Sequence, residues 1–150
     1  MASLLEQLGG GDTRGKVIDD ACHVLDQEVA DKSGITGLAI KGAYKVVQGV
    51  KPGFVREVVD ALLDDFLRAL DPLYQESITK QRPAGGYLRE NSSRAADALL
   101  AVTDKRAQDA KRQMIRSAYE KLRPMAKKQV EGAMPRLGDL LERHASKPAG

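Results

Sequence analysis

The chain has 150 residues, of which 42% are hydrophobic and 30% charged, with a formal net charge of +3. That length suits a single domain, and the apolar fraction is sufficient for a core. Two Phe, four Tyr and no Trp make the core aliphatic, and the single cysteine, Cys22, excludes an internal disulfide and a multi-cysteine metal centre. No uncharged apolar run reaches the ~18 residues of a membrane-spanning helix. Met1–Leu8 carries Glu6 and no basic residue, unlike a secretory signal, so a cytoplasmic location is expected.

The apolar spacing predicts an all-α fold: one compact domain of six or seven helices. Gly9-Gly10-Gly11 separates a short N-terminal helix from a second, which runs to about Ala30. Asp12 or Thr13 is placed to cap that second helix, and Val17, Ile18, Ala21, Val24, Leu25 and Val29 recur on one side of it. Residues 34–50 are apolar over most of a helical circumference. Only Gly34, Gly37, Lys41, Lys45 and Gln48 form a bare or polar stripe. A helix of that kind is normally surrounded by others, and its glycines cost about 1 kcal/mol each unless another backbone approaches closely. It is therefore expected to be the central helix, with its lysines snorkelling to water.

Residues 54–70 give the clearest amphipathic pattern, with Val55, Val58, Val59, Leu62, Leu63, Phe66, Leu67 and Leu70 on one face. Asp71-Pro72 reads as the cap and first turn of a new short helix. Arg82-Pro83-Ala84-Gly85-Gly86 is the strongest break, dividing halves 1–81 and 88–150 through a linker at 82–87. Asn91, Ser92 or Ser93 is expected to cap a long C-terminal helical segment that bends or breaks near Thr103-Asp104. Pro124 and Pro135 mark kinks or restarts, and Leu137, Leu140 and Leu141 form a last amphipathic stretch before a frayed tail at 146–150.

Charge divides unevenly along the chain. Residues 55–76 hold two basic and six acidic side chains, whereas residues 105–128 hold nine basic and two acidic. Glu57, Asp60, Asp64 and Asp65 form a candidate acidic interaction face. Lys105, Arg112, Arg116, Arg123 and Lys127 form a candidate polyanion-binding face, since phosphate contacts need several cations on one rigid surface. Asp109 and Glu120 interrupt that basic stripe, and only Tyr119 could stack on a base, so a solvated charged face competes with nucleic-acid binding.

Catalytic and metal chemistry find little support. Gly10-x-x-x-x-Gly15-Lys16 lacks the following Ser/Thr of a phosphate-binding loop and any preceding strand. Asp19 and His23 have the i, i+4 spacing of a metal pair, but no third or fourth ligand is designated. Arg68 stands where an Asp-Asp-x-x-Asp cluster would need its last carboxylate. No catalytic residue and no cofactor is assigned.

Three stretches carry a family resemblance: Lys32–Gly37 through Lys51–Val55, Ala95–Asp104 and Tyr119–Pro124. Together they make the chain similar to a family of small bacterial proteins of uncharacterised function. The resemblance implies a bacterial, single-domain, cytoplasmic protein and transfers no site residue.

From the residues, the leading expectation is a non-enzymatic helical interaction module that associates with itself or another protein. A two-fold pairing would set each copy's acidic face against the other's basic one. The alternatives are nucleic-acid or polyanion binding through the basic helix 105–128, and carriage of an apolar ligand between helices near Gly34–Val50, Met114, Met125 and Met134.

Overall fold

A computed structural model describes residues 2–145, and the predicted tail at 146–150 lies outside the described residues. Eight helices and no strand occur among them, one or two helices more than expected. They are α1 Leu4–Leu8, α2 Gly11–Asp31, α3 Gly34–Gln48, α4 Phe54–Thr79, α5 Ala84–Glu90, α6 Ser92–Gln108, α7 Gln113–Gly132 and α8 Met134–His144. The all-α, single-domain architecture agrees with the apolar periodicity.

The core is built by α1, α2, α4, α5, α6 and α8. Its buried residues include Leu4, Leu8, Val17, Val24, Leu63, Leu67, Leu70, Leu88, Leu99, Met134 and Leu140, an aliphatic set as the composition requires. Helix α4 forms the long axis, because its apolar face contributes Leu63, Leu67, Leu70, Leu73 and Tyr74 in successive turns. Pro72 does not start a helix; it lies inside α4 with its ring exposed to solvent. Asp71 caps a different helix: its Oδ1 accepts from the Leu4 backbone N–H at 2.9 Å, tying α1 to the middle of α4. A helix start leaves N–H groups unsatisfied, and here a side chain far away in sequence supplies one acceptor.

Helix α2 begins a residue or two earlier than expected. Gly10 is its N-cap without a side-chain bond, so neither Asp12 nor Thr13 caps it. Asn91 precedes α6, but its side-chain amide donates to the Tyr87 carbonyl at 2.9 Å instead of capping that helix. The predicted linker at 82–87 is mostly helical, with Gly85 and Tyr87 buried in α5. Gly85 sits against Gly138 of α8 so closely that a Cβ on Gly138 would lie 2.8 Å from the Gly85 Cα. The two glycines let the backbones of α5 and α8 meet directly. A polar joint at the surface adds to this. Tyr87 Oη donates to Glu76 Oε1 at 2.8 Å, and Arg94 binds both Glu76 oxygens, so α4, α5 and α6 share one carboxylate.

The central-helix expectation is overturned. In α3, Gly37 is the one buried residue, and Ile35 and Leu38 are 89% and 73% exposed. An apolar circumference does not require burial, because apolar atoms supply more than half of a typical protein surface. Gly34 adopts φ +70, which lets the chain turn from α2 into α3, and Gly37 packs on the Lys32 backbone, where a Cβ would lie 2.7 Å from the Lys32 carbonyl carbon. Gly42 has open space beside it, so a neighbouring backbone accounts for only part of the glycine pattern. The C-terminal break also moves: α6 continues through Thr103-Asp104 and ends at Gln108, and α7 starts at Gln113. The basic segment 105–128 is thus two helices joined by a turn.

Candidate functional site: an apolar cavity beneath two outer helices

Helices α3 and α7 lie across the core rather than in it. Helix α7 has no buried residue, although Leu122, Met125, Ala126 and Val130 line up along its inner side. Beneath it is a partly open cavity of about 430 Å³. Helix α2 contributes Val17, Ala21, Val24 and Leu25; α4 contributes Val59, Leu63, Phe66 and Leu67; α6 contributes Leu99 and Leu100; and α8 contributes Leu137, Leu140 and Leu141. From α3, Ile40 alone reaches it. These positions recur at three- and four-residue steps, so each helix presents a continuous aliphatic stripe to the same space.

Polar lining residues are few: Glu28, Lys32, Thr103 and Gln129. Thr103 is engaged, with its hydroxyl 2.7 Å from Tyr119 Oη and bonded to the Leu100 carbonyl. Glu28 and Lys32 lie at the C-terminal end of α2, next to Arg136 near the start of α8. There Glu28 accepts from Lys32 Nζ at 3.2 Å and from Arg136 at 2.9 Å. Arg136 also pairs with Asp31, and the two carboxylates push the guanidinium pKa up, keeping it charged. Among the described residues no buried side-chain polar atom lacks a hydrogen-bond partner. The cavity interior therefore offers surface contact alone, with charge confined to one rim.

What holds α7 over this space is polar. Arg123 donates two hydrogen bonds to Asp104, Tyr119 Oη donates to the same carboxylate, and Lys127 pairs with Asp97. Hydrogen bonds from Arg123 and then Tyr119 hold the Asp104 carboxyl below the usual carboxylate range, against a smaller desolvation effect. These contacts tie α7 to α6 along one edge and leave its apolar underside incompletely packed.

The predicted basic face is dispersed by this arrangement. Lys105 lies on α6 and is exposed; Arg112 precedes α7, with its guanidinium 5.8 Å from the Phe54 ring centroid. Arg116 bonds the Ala110 carbonyl and Gln113, and Arg123 and Lys127 are ion-paired as above. The predicted acidic face is likewise engaged within the chain. Glu57 pairs with Lys51, Asp60 and Asp64 with Arg14, and Asp65 with Arg68 and Arg106. Of the three methionines considered for an apolar ligand, only Met125 lines the cavity; Met134 is wholly buried and Met114 is exposed.

Other candidate chemistry separates in space. Asp19 pairs with Arg56, while His23 is exposed. No group of three His, Cys, Asp or Glu residues able to hold a metal occurs among the described residues. Gly11–Lys16 is helical rather than a phosphate-cradling loop. Cys22 is half-buried, and burial pushes its thiol pKa up, which disfavours the thiolate. Asp20, on the same helix as Asp19 and His23, accepts two bonds from Arg143 at 2.8 Å and lies 2.9 Å from His144 Nε2, clamping α8 to α2. Desolvation opposes the Asp20 charge, but the bonds from Arg143 and His144 outweigh it and lower the pKa.

A family model described as a family of unknown function, DUF6918, matches residues 4–145. No curated protein and no solved structure matches the chain. Among the described residues, no helix is long and apolar enough to cross a membrane.

Proposed function

The chain belongs to the DUF6918 family, whose function is unknown, and we propose that it holds a single-chain apolar ligand, such as a fatty acyl chain, in the cavity beneath α7. The observation that carries this reading is the 430 Å³ aliphatic space in a protein of only 150 residues. The space is partly open, so left without a ligand it exposes its aliphatic walls to water, at a cost of about 25 cal/mol per Å² of apolar surface. Aliphatic walls do not hold ordered water well, because a bound water needs two to four polar partners. An apolar occupant resolves that tension.

Size indicates the ligand class. An apolar cavity of about 150 Å³ accommodates benzene, so this one takes an alkyl chain of roughly 17 carbons. The absence of unsatisfied polar atoms among the described interior groups suits a hydrocarbon body, and Glu28 and Lys32 would face its polar end. Polyanion binding has weaker support, since Arg123 and Lys127 are already paired with Asp104 and Asp97.

Native mass spectrometry of protein purified without detergent tests the reading, together with titration of a fluorescent fatty-acid probe. The expected result is adduct mass in the fatty-acid range, or saturable probe binding competed by unlabelled palmitate. Bare protein combined with no probe binding would refute it.

A further inference from the structure

A second feature, independent of whether the cavity is filled, is the outward side of α3. Ile35, Leu38, Ala39, Gly42 and Val46 share that side and are all exposed. The opposite side, with Gly37, Ile40 and Tyr44, faces the protein. An exposed apolar helix face marks an interaction surface, and the charges around it say what kind. Between Lys32 and Arg56 the chain carries Lys41, Lys45 and Lys51 and no acidic residue. Lys45 is exposed beside the apolar row, and neither it nor Lys41 forms an ion pair among the described residues.

We propose that α3 docks this protein on an anionic lipid bilayer, lying in the interface with Ile35 and Leu38 among the acyl chains and Lys41 and Lys45 against the headgroups. Apolar side chains flanked by unpaired lysines are what such a surface selects. A second copy suits the same face less well. Pairing α3 with α3 about a two-fold axis would bring four unpaired lysines together with no carboxylate between them. Pairing α3 with the acidic side of α4 would have to displace Arg14, Arg68 and Arg106, which already neutralise Asp60, Asp64 and Asp65. An anionic bilayer supplies both the apolar phase and the opposite charge without rearranging the protein.

Flotation of the full chain with phosphatidylcholine vesicles, with and without 30% phosphatidylglycerol, tests this. Binding should be at least tenfold stronger to the anionic vesicles and should weaken with added salt. Leu38→Glu should weaken it at least tenfold, because burial of a leucine is lost. Lys41→Glu with Lys45→Glu should also weaken it by more than tenfold, at about fivefold for each positive charge removed. Because Leu38 and Lys45 project into solvent and Lys41 is half-buried at the edge of the face, far-UV circular dichroism should stay unchanged, and Leu38→Ser provides a milder variant should the glutamate perturb folding.

The chain lacks tryptophan, so Ile35→Trp gives a single reporter whose emission should shift to the blue on anionic vesicles only. No flotation, equal flotation with neutral vesicles, or flotation unaffected by Leu38→Glu and Leu38→Ser would overturn the proposal. So would a concentration-dependent dimer in light scattering that Leu38→Ser abolishes, which would assign the face to a second copy. A protein whose cavity has been filled by substitution should still float, so failure of the ligand reading and failure of this one are separable.

Discussion

Filling the cavity should stabilise the protein and shorten its ligand. Ala21 on α2 and Ala126 on α7 both line the space, on different walls. Ala→Leu adds three carbons, or about 75 Å³ by the benzene comparison. At about 24 cal/mol per Å³ of void removed, each substitution should stabilise the ligand-free protein by up to about 1.8 kcal/mol, and the pair by about 3.5. Leucine is nearly as good a helix former as alanine, so the backbone contributes little to the change. In a chain of this length about 1 kcal/mol moves the melting temperature by roughly 2–4 °C, giving an upward shift of up to about 7–14 °C for the double variant. Calorimetry of delipidated protein measures that shift. The same ~150 Å³ should shorten the longest chain bound by roughly six carbons, measurable by competition with fatty acids of graded length. If both single variants melt lower than the parent, as overpacking of a filled core would cause, and the chain-length preference stays put, the cavity has no role.

Three further outcomes follow from the packing and the charges. Gly138→Ala should destabilise by about 1–3 kcal/mol in urea unfolding, because the new methyl meets the Gly85 backbone, whereas Gly42→Ala, with open space beside it, should stabilise by about 0.5–1 kcal/mol. Hydrogen bonds from Arg94 and then Tyr87 lower the Glu76 pKa to about 2. A carboxylate depressed on folding adds stability above its unfolded value of about 4.3 and loses that contribution as pH falls toward the folded one. An NMR titration should therefore place Glu76 near 2, and Arg94→Ala should raise its midpoint and flatten the stability profile on the acid side. Asp71→Ala removes the acceptor for the Leu4 N–H and should cost about 1–2 kcal/mol, as lost caps do, with faster proteolysis at α1 as the companion readout.

Elements whose apolar residues sit on one narrow side were readable from the chain. Leu63, Leu67 and Leu70 in α4, and Val17, Ile18 and Val24 in α2, are buried as their spacing required. Helix α3 misled because periodicity measures where apolar residues lie on a helix and not whether anything covers them. Asp71-Pro72 misled for a local reason: a proline whose ring projects into solvent leaves the helix running, so its missing N–H interrupts α4 without ending it. The turn between α6 and α7, Asp109–Arg112, contains neither glycine nor proline, so nothing in composition marks it. The cavity was not legible: of the residues read as a possible apolar-ligand site, Gly34–Val50, Met114, Met125 and Met134, only Ile40 and Met125 line it. Its walls come from residues as far apart as Val17 and Leu141, and a void is a property of their spacing in space.

The attachment of α1 has a consequence for how the protein is made. Leu4 and Leu8 are completely buried, and the groups that bond α1, Asp71 to the Leu4 N–H and Tyr74 to Gln7, each lie 67 positions after their partner. On a ribosome adding about 5–20 residues per second, the first helix emerges several seconds before its socket exists. Until α4 is complete it is an oily fragment in search of a partner, and a chaperone or a neighbouring nascent chain competes for it. Arrest of synthesis just short of α4 should therefore leave an aggregation-prone fragment, whereas arrest shortly beyond it should not.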